Sequence, residues 1–149
     1  MNFSKIYLAS DHGGLDLKKH ILDHLAERDV MAEDLGPFGP DSVDYPDYAA
    51  KCALALEQDS SAGAIIICGS GIGISIAANR HHWIRAALVH DMTSARLCRE
   101  HNNANVLALG ERLMGVSTAL DCVDLFLQTP FEGGRHEGRV EKLTNLPKK

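Results

Sequence analysis

No stretch of the 149-residue chain approaches the roughly 18–20 consecutive apolar residues of a membrane span. No basic-then-apolar signal region opens it, so neither a membrane partner nor a secretory leader is expected. Positive charge is also scarce: 15 Lys and Arg stand against 20 Asp and Glu, for a net charge of −5. A chain of that balance lacks the overall field that nucleic acid or an anionic membrane requires, although a local cluster would still serve a small anion. The four cysteines, Cys52, Cys68, Cys98 and Cys122, form no C-x-x-C pair. That excludes a zinc ribbon or a disulfide framework and fits reduced thiols in a cytoplasmic protein. No G-K-[ST] sequence is present, so a Walker phosphate loop is excluded. Aromatics make up 5% of the chain, and three of the five prolines fall in one segment, Gly36 to Pro46. Internal repeats and low-complexity tracts are absent. The length fits one domain, residues 1–149, with enough core to fold without a metal or disulfide.

What is present is alternation. Lys5 to Ser10 is a short apolar, β-prone run that stops at Asp11-His12-Gly13-Gly14. Leu17, Ile21, Leu22 and Leu25 then recur at helical spacing, with Lys18, Lys19 and Glu27 on the opposite side. Strands are expected at Val30–Leu35, Ala64–Cys68, Ile84–Val89 and Val106–Leu109. Helices are expected at Tyr48–Glu57, Ile74–Asn79 and Asp91–Glu100, then along Val116, Leu120, Val123 and Leu127, and last from about 134 to 146. Strand–helix alternation with short connections predicts an α/β, doubly wound, Rossmann-like domain of three layers. Its five-stranded parallel sheet carries helices on both faces. In such sheets a ligand lies beyond the carboxyl ends of the strands. Asp11-His12, Cys68 to Gly73, His90-Asp91 and Gly110 to Arg112 are therefore the segments to weigh.

Gly69-Ser-Gly-Ile-Gly73 can turn its amides toward an anion, or it can be a tight strand–helix turn. The dinucleotide fingerprint is incomplete, because the third glycine is replaced, although Asp91 lies about 20 residues further on. Cys68 precedes this loop at a strand end, which suits a base or nucleophile better than a core thiol. Cys52, Cys98 and Cys122 fit core positions in helices. His20, His24, His81 and His82 are assigned to solvated faces or loops, whereas His12 and His101 are expected to reach the strand ends. His, Asp and Cys show no evident ligand set at regular spacing, so neither a metal nor another cofactor is expected. Arg135 and Arg139 are four apart on the expected last helix, near Lys142, with Glu137 and Glu141 interleaved. Spacing alone slightly favours an ordinary solvated helix there over a phosphate site.

Seven motifs occur together and in order: Ala9-Ser-Asp-His-Gly-Gly14, Asp44-Tyr-Pro46, Cys68-Gly-Ser-Gly-Ile-Gly-Ile-Ser75, Ala77-Ala-Asn79, Arg99-Glu-His-Asn102, Asn105 to Gly110 and Glu132-Gly-Gly-Arg-His136. The set, spanning about Ile6 to Val140, closely resembles the ribose-5-phosphate isomerase B family, which has relatives acting on galactose 6-phosphate and allose 6-phosphate. The resemblance implies metal-independent aldose–ketose isomerisation of a phosphorylated sugar through a cis-enediolate, in the non-oxidative pentose phosphate pathway. It implies that Cys68 is the base, since Ile74 stands where other members carry a glutamate. Gly69, Ser70, Gly71, Ile72 and Gly73 would hold the enediolate. His101 would open the sugar ring with Asp11 as helper, and Asn102 would bind a hydroxyl. His12, Arg112, Arg135 and Arg139 would hold the phosphate, and Tyr45 would border the sugar. It further implies a homodimer, or a tetramer, with sites shared between subunits and the last helix contributing to both. A hexose 6-phosphate isomerase, a non-catalytic phosphosugar- or nucleotide-binding module and a redox thiol protein are the rival readings. No second cysteine stands beside Cys68 in sequence to serve the last of these.

Overall fold

The run Ala64-Ile-Ile-Ile-Cys68 has no polar position because neither of its faces meets water. In the computed structural model, which describes residues 1–145, it lies in β3 (Gly63–Cys68), and every residue of that strand is buried. Parallel neighbours flank it: β1 (Ile6–Ser10) on one side and β5 (Val106–Gly110) on the other. β2 (Ala32–Asp34) pairs outside β1, and β4 (Ala86–Leu88) pairs outside β5. The order is β2-β1-β3-β5-β4, the expected five-stranded parallel sheet.

The pleat sorts β3 between two cores. Ile65 and Ile67 pack with buried residues of α1 (Leu15–Ala26), α4 (Met92–Asn102) and α5 (Val116–Gln128). Ala64, Ile66 and Cys68 face the other way, into α2 (Tyr45–Gln58) and α3 (Ile72–Ala78). Helices thus cover both faces, and Cys52, Cys98 and Cys122 are buried among them as expected. Burial holds all three as thiols, pushing Cys52 up to about 12 and Cys98 and Cys122 up to about 11.

Four expectations need correction. The edge strands β2 and β4 are shorter than Val30–Leu35 and Ile84–Val89, because each has a partner on one side only. Side chains take over the ladder at the amino end of β4: Arg85 N–H donates to Asn105 Oδ1 at 2.7 Å, and Asn79 makes two 2.9 Å bonds to the backbone of Ala86. Lys18, placed by periodicity on the solvated side, is buried, with Nζ 2.7 Å from both Asp34 Oδ1 and the Pro37 carbonyl. His24 is buried too, its Nε2 2.8 Å from Asp124 Oδ1, so it ties α1 to α5. Both partners are tertiary, which is why a helical period cannot reveal them.

The last helix, expected from about residue 134, is instead α6 (Glu137–Thr144), preceded by a 3-10 turn at Gly134–His136. Gly133 and Gly134 have φ of +66° and +55°, a conformation that interrupts any helix there. The expected end near 146 lies outside the described residues. None of the residues of α6 is buried.

Candidate active site

Chain direction reverses across the sheet between β1 and β3: the connection after β1 leads outward to β2, and the chain then returns to β3. Such a switch point opens a crevice at the carboxyl ends of the strands. A cavity of about 260 Å³ lies there, lined by Asp11, His12, Tyr45, Cys68, Gly69, Ser70, Gly73 and Arg112, with Gly13 and Leu113. Seven of the anticipated site residues therefore converge, together with Tyr45. Gly13 and Leu113 were not anticipated, because neither residue type carries a chemical signal of its own.

Each side chain is held by local structure. Asp11 Oδ1 accepts a 2.8 Å bond from Gly13 N–H, capping the turn that follows β1. His12 Nδ1 lies 3.2 Å from both the N–H and the carbonyl oxygen of Val43, which hold the ring against that loop in either tautomer. Glu111 N–H and Arg112 N–H donate to the carbonyls of Cys68 and Gly69 at 3.0 Å, extending the β3–β5 pairing past the strand ends. The Arg112 guanidinium lies over Gly69: a Cβ there would sit 3.2 Å from its Cζ. Tyr45 likewise covers Gly73, where a Cβ would meet the ring at 2.6 Å.

The Cys68 side chain is buried and its Sγ accepts a 3.1 Å hydrogen bond from Gly71 N–H. Gly71 achieves this with φ +75° as the residue before α3, in a space where a Cβ would lie 2.6 Å from Leu88 Cδ1. Gly71 and Ile72 shape the loop without lining the cavity. Ile72 N–H donates to Ser70 Oγ at 3.3 Å, and the Ile72 side chain is half exposed. Asp91, the acid a dinucleotide reading would need, is instead the N-cap of α4, accepting from Ser94 N–H at 2.9 Å. Those bonds from Ser94 hold its carboxyl below the usual range.

The other four anticipated residues lie elsewhere. His101 and Asn102 end α4, and α4 runs back from the carboxyl edge of the sheet, so its last turn lies beside the amino end of β5. Cys68 pairs with Gly110 at the far end of that strand, about 13 Å away at 3.3 Å per residue. Within one chain, therefore, His101 does not reach the strand ends that carry His12. Asn102 lines a separate 430 Å³ cavity with Asn79, Arg85 and Leu143. Arg135 and Arg139 do not share a helix, because Arg135 sits in the 3-10 turn before α6. Arg135 joins His101 instead: its Nε donates to His136 Nε2 at 3.3 Å, and the His136 ring stacks on His101.

Tertiary contact does gather one potential ligand set that spacing did not suggest. Donor atoms of His101, Glu132 and His136 lie within 4.8 Å of one another. The two imidazoles are stacked with planes 10° apart, so one ion cannot lie in both ring planes at bonding distance as they stand. His20 and His24 have helical i, i+4 spacing, but His24 is turned inward to Asp124 while His20 is exposed. Among the described residues, no helix is long and apolar enough to cross a membrane.

Residues 6–143 match the family model described as Ribose/Galactose Isomerase. Ribose-5-phosphate isomerase B of Escherichia coli K12 is 46% identical over 142 residues, covering 95% of each chain. The structure of Clostridium thermocellum ribose-5-phosphate isomerase B superposes with a TM-score of 0.93 at 49% identity, covering 95% of this chain and 96% of that one. That of the Mycoplasma genitalium enzyme with bound ribulose 5-phosphate gives 0.93 at 44% identity, covering 97% and 96%. A parallel sheet with a cysteine and a glycine loop at its switch point, matched over nearly its whole length, makes this chain a member of the ribose/galactose isomerase family.

Proposed function

We propose that this chain interconverts ribose 5-phosphate and ribulose 5-phosphate without a metal, as a homodimer whose two sites each draw on both subunits. The observation that carries the reading is the Cys68 thiol at the wall of the switch-point cavity, with the Gly71 amide aimed at its sulfur. The M. genitalium relative holds ribulose 5-phosphate, which supports the substrate class.

In this mechanism His101 of the partner subunit passes a proton to the furanose ring oxygen, and the sugar opens to its aldehyde. The Cys68 thiolate then takes the C2 proton and returns it to C1, while the O2 hydroxyl proton moves to O1, so that C2 ends as the ketone and C1 as the primary alcohol. Between those steps the charge rests on an enediolate oxygen. Amides of the Gly69–Gly73 loop stabilise it, those of Gly69, Ser70 and Gly73 at the cavity wall in the first place, each good donor contributing about 3–4 kcal/mol. Asp11 assists ring opening by taking the proton of the anomeric hydroxyl as the bond from C1 to the ring oxygen breaks, and Asn102 of the partner subunit binds a hydroxyl. His12 and Arg112 hold the phosphate from one chain, with Arg135 and Arg139 of the partner subunit completing its cradle. Binding energy from that unreactive phosphate positions C1 and C2 at the sulfur.

Shared sites are supported by the separation of the two residue groups and by α6, none of whose residues is fully buried within its own chain. Exposed Ile72, Ile76, Met92 and Leu113 supply apolar surface for a second copy. Four free cysteines fit a reducing, cytoplasmic setting. Turnover of ribose 5-phosphate, allose 6-phosphate and galactose 6-phosphate under matched conditions tests the substrate. The pentose is expected to dominate kcat/KM, and a hexose preference would reassign the chain within its family.

A further inference from the structure

His136 is buried in a segment whose neighbours are largely exposed. Its ring lies flat on that of His101, with centroids 4.4 Å apart and planes 10° apart. Arg135 Nε donates to its Nε2 at 3.3 Å, so the neutral ring keeps its own proton on Nδ1. Glu132 Oε2, at 3.6 Å, favours a second proton; the charges of Arg135 and Arg139 and the adjacent His101 oppose one. On the α4 side, Glu100 is engaged by Arg96, and its carbonyl accepts Glu132 N–H at 3.1 Å. Burial is the largest influence, and with these cations it holds His136 below the ordinary histidine pKa. Two stacked imidazoles repel if both are charged.

Resting on the reading of His101 as the ring-opening group, we propose that His136 is its positioning residue: a fixed aromatic surface that holds the His101 imidazole in one orientation for proton transfer to the sugar ring oxygen. The stack also runs from His101 through His136 to Arg135, so the acid and a phosphate anchor are held as one unit.

The chemistry of the two substrates supplies a test. Ribulose 5-phosphate has its O5 esterified and cannot close a furanose ring on C2, so only the aldose needs opening. Exchange of the ketose C1 proton with solvent deuterium, followed by proton NMR, requires Cys68 and the enediolate loop but not His101. His136→Ala is expected to slow ribose 5-phosphate conversion about 10-fold or more while C1 exchange stays within about twofold of the unmodified protein. His136→Phe, which keeps a flat ring, is expected to restore most of the aldose rate. His136→Leu replaces the alanine variant if that chain does not fold. Equal slowing of both reactions, no slowing of either, or a phenylalanine variant no better than alanine overturns the proposal. His101→Ala run in parallel assigns the failure: if it shows the aldose-only defect, the reading of His101 stands whatever His136 does. If it lacks that defect, the reading of His101 itself falls.

Discussion

Cys68 and His101 stand at opposite ends of one parallel sheet, Cys68 at the carboxyl end of β3 and His101 beside the amino end of β5. The length of a strand, about 13 Å, lies between them, and that separation is what supports a site completed by a second copy.

Mixing the two inactive variants follows directly. Cys68→Ala and His101→Ala chains, unfolded together and refolded at equal concentration, should recover about a quarter of the unmodified activity. Half of the dimers are mixed, and each of those has one intact site of two. Activity that stays at the level of the separate variants, with heterodimers demonstrated by mass, would sink the shared-site reading.

Removing the base and removing a phosphate ligand should leave opposite kinetic signatures. Cys68→Ala is expected to lower kcat by about 100-fold or more with KM little changed, since the thiol acts on the transition state. Arg112→Ala should chiefly raise KM, because its partner is an unreactive group. Steady-state kinetics on ribose 5-phosphate decides both, and near-normal turnover of Cys68→Ala would remove the thiol from the reaction.

Gly71→Ala tests the loop itself. The new Cβ would have to accept φ +75° and approach Leu88 Cδ1 to 2.6 Å and the Leu109 carbonyl carbon to 2.8 Å. Backbone strain of this kind costs about 1–3 kcal/mol, so a lower urea midpoint and loss of turnover should appear together. A variant with unchanged stability would show that the loop relaxes without cost.

The cysteines should separate by environment. Iodoacetamide at pH 8 is expected to alkylate Cys68, which borders the cavity, with loss of activity, while Cys52, Cys98 and Cys122 react only after unfolding. Peptide mass mapping reads the order. The same burial has a consequence for stability. The three core thiols are held up to about 11–12 in the fold against 9.0 unfolded. Above pH 9 the unfolded chain loses protons that the folded chain keeps, so folding stability should fall as pH rises through that window. Urea titrations between pH 8 and 11 measure it, and a rising stability there would contradict the burial of these thiols.

Local pattern determined much of this protein. The apolar Ala64–Cys68 run, the alternation of strands and helices, and the glycine loop after Cys68 required the parallel sheet and located the crevice, because hydrophobic period and turn chemistry act over a few residues. The amino-edge position of His101 corrects the expectation that it reaches the carboxyl strand ends, since a crossover helix must return to the amino edge before the next parallel strand starts. Only the tertiary structure decided the rest. Lys18 and His24 are buried because Asp34 and Asp124 arrive from other elements, and no helical period records a partner 16 or 100 residues away. The His101–His136 stack, with Glu132 and Arg135 around it, forms because the chain after α5 folds back over the end of α4, joined there by the Glu132–Glu100 backbone bond. Burial and partner choice are properties of packed surfaces, and those exist only once the elements have met.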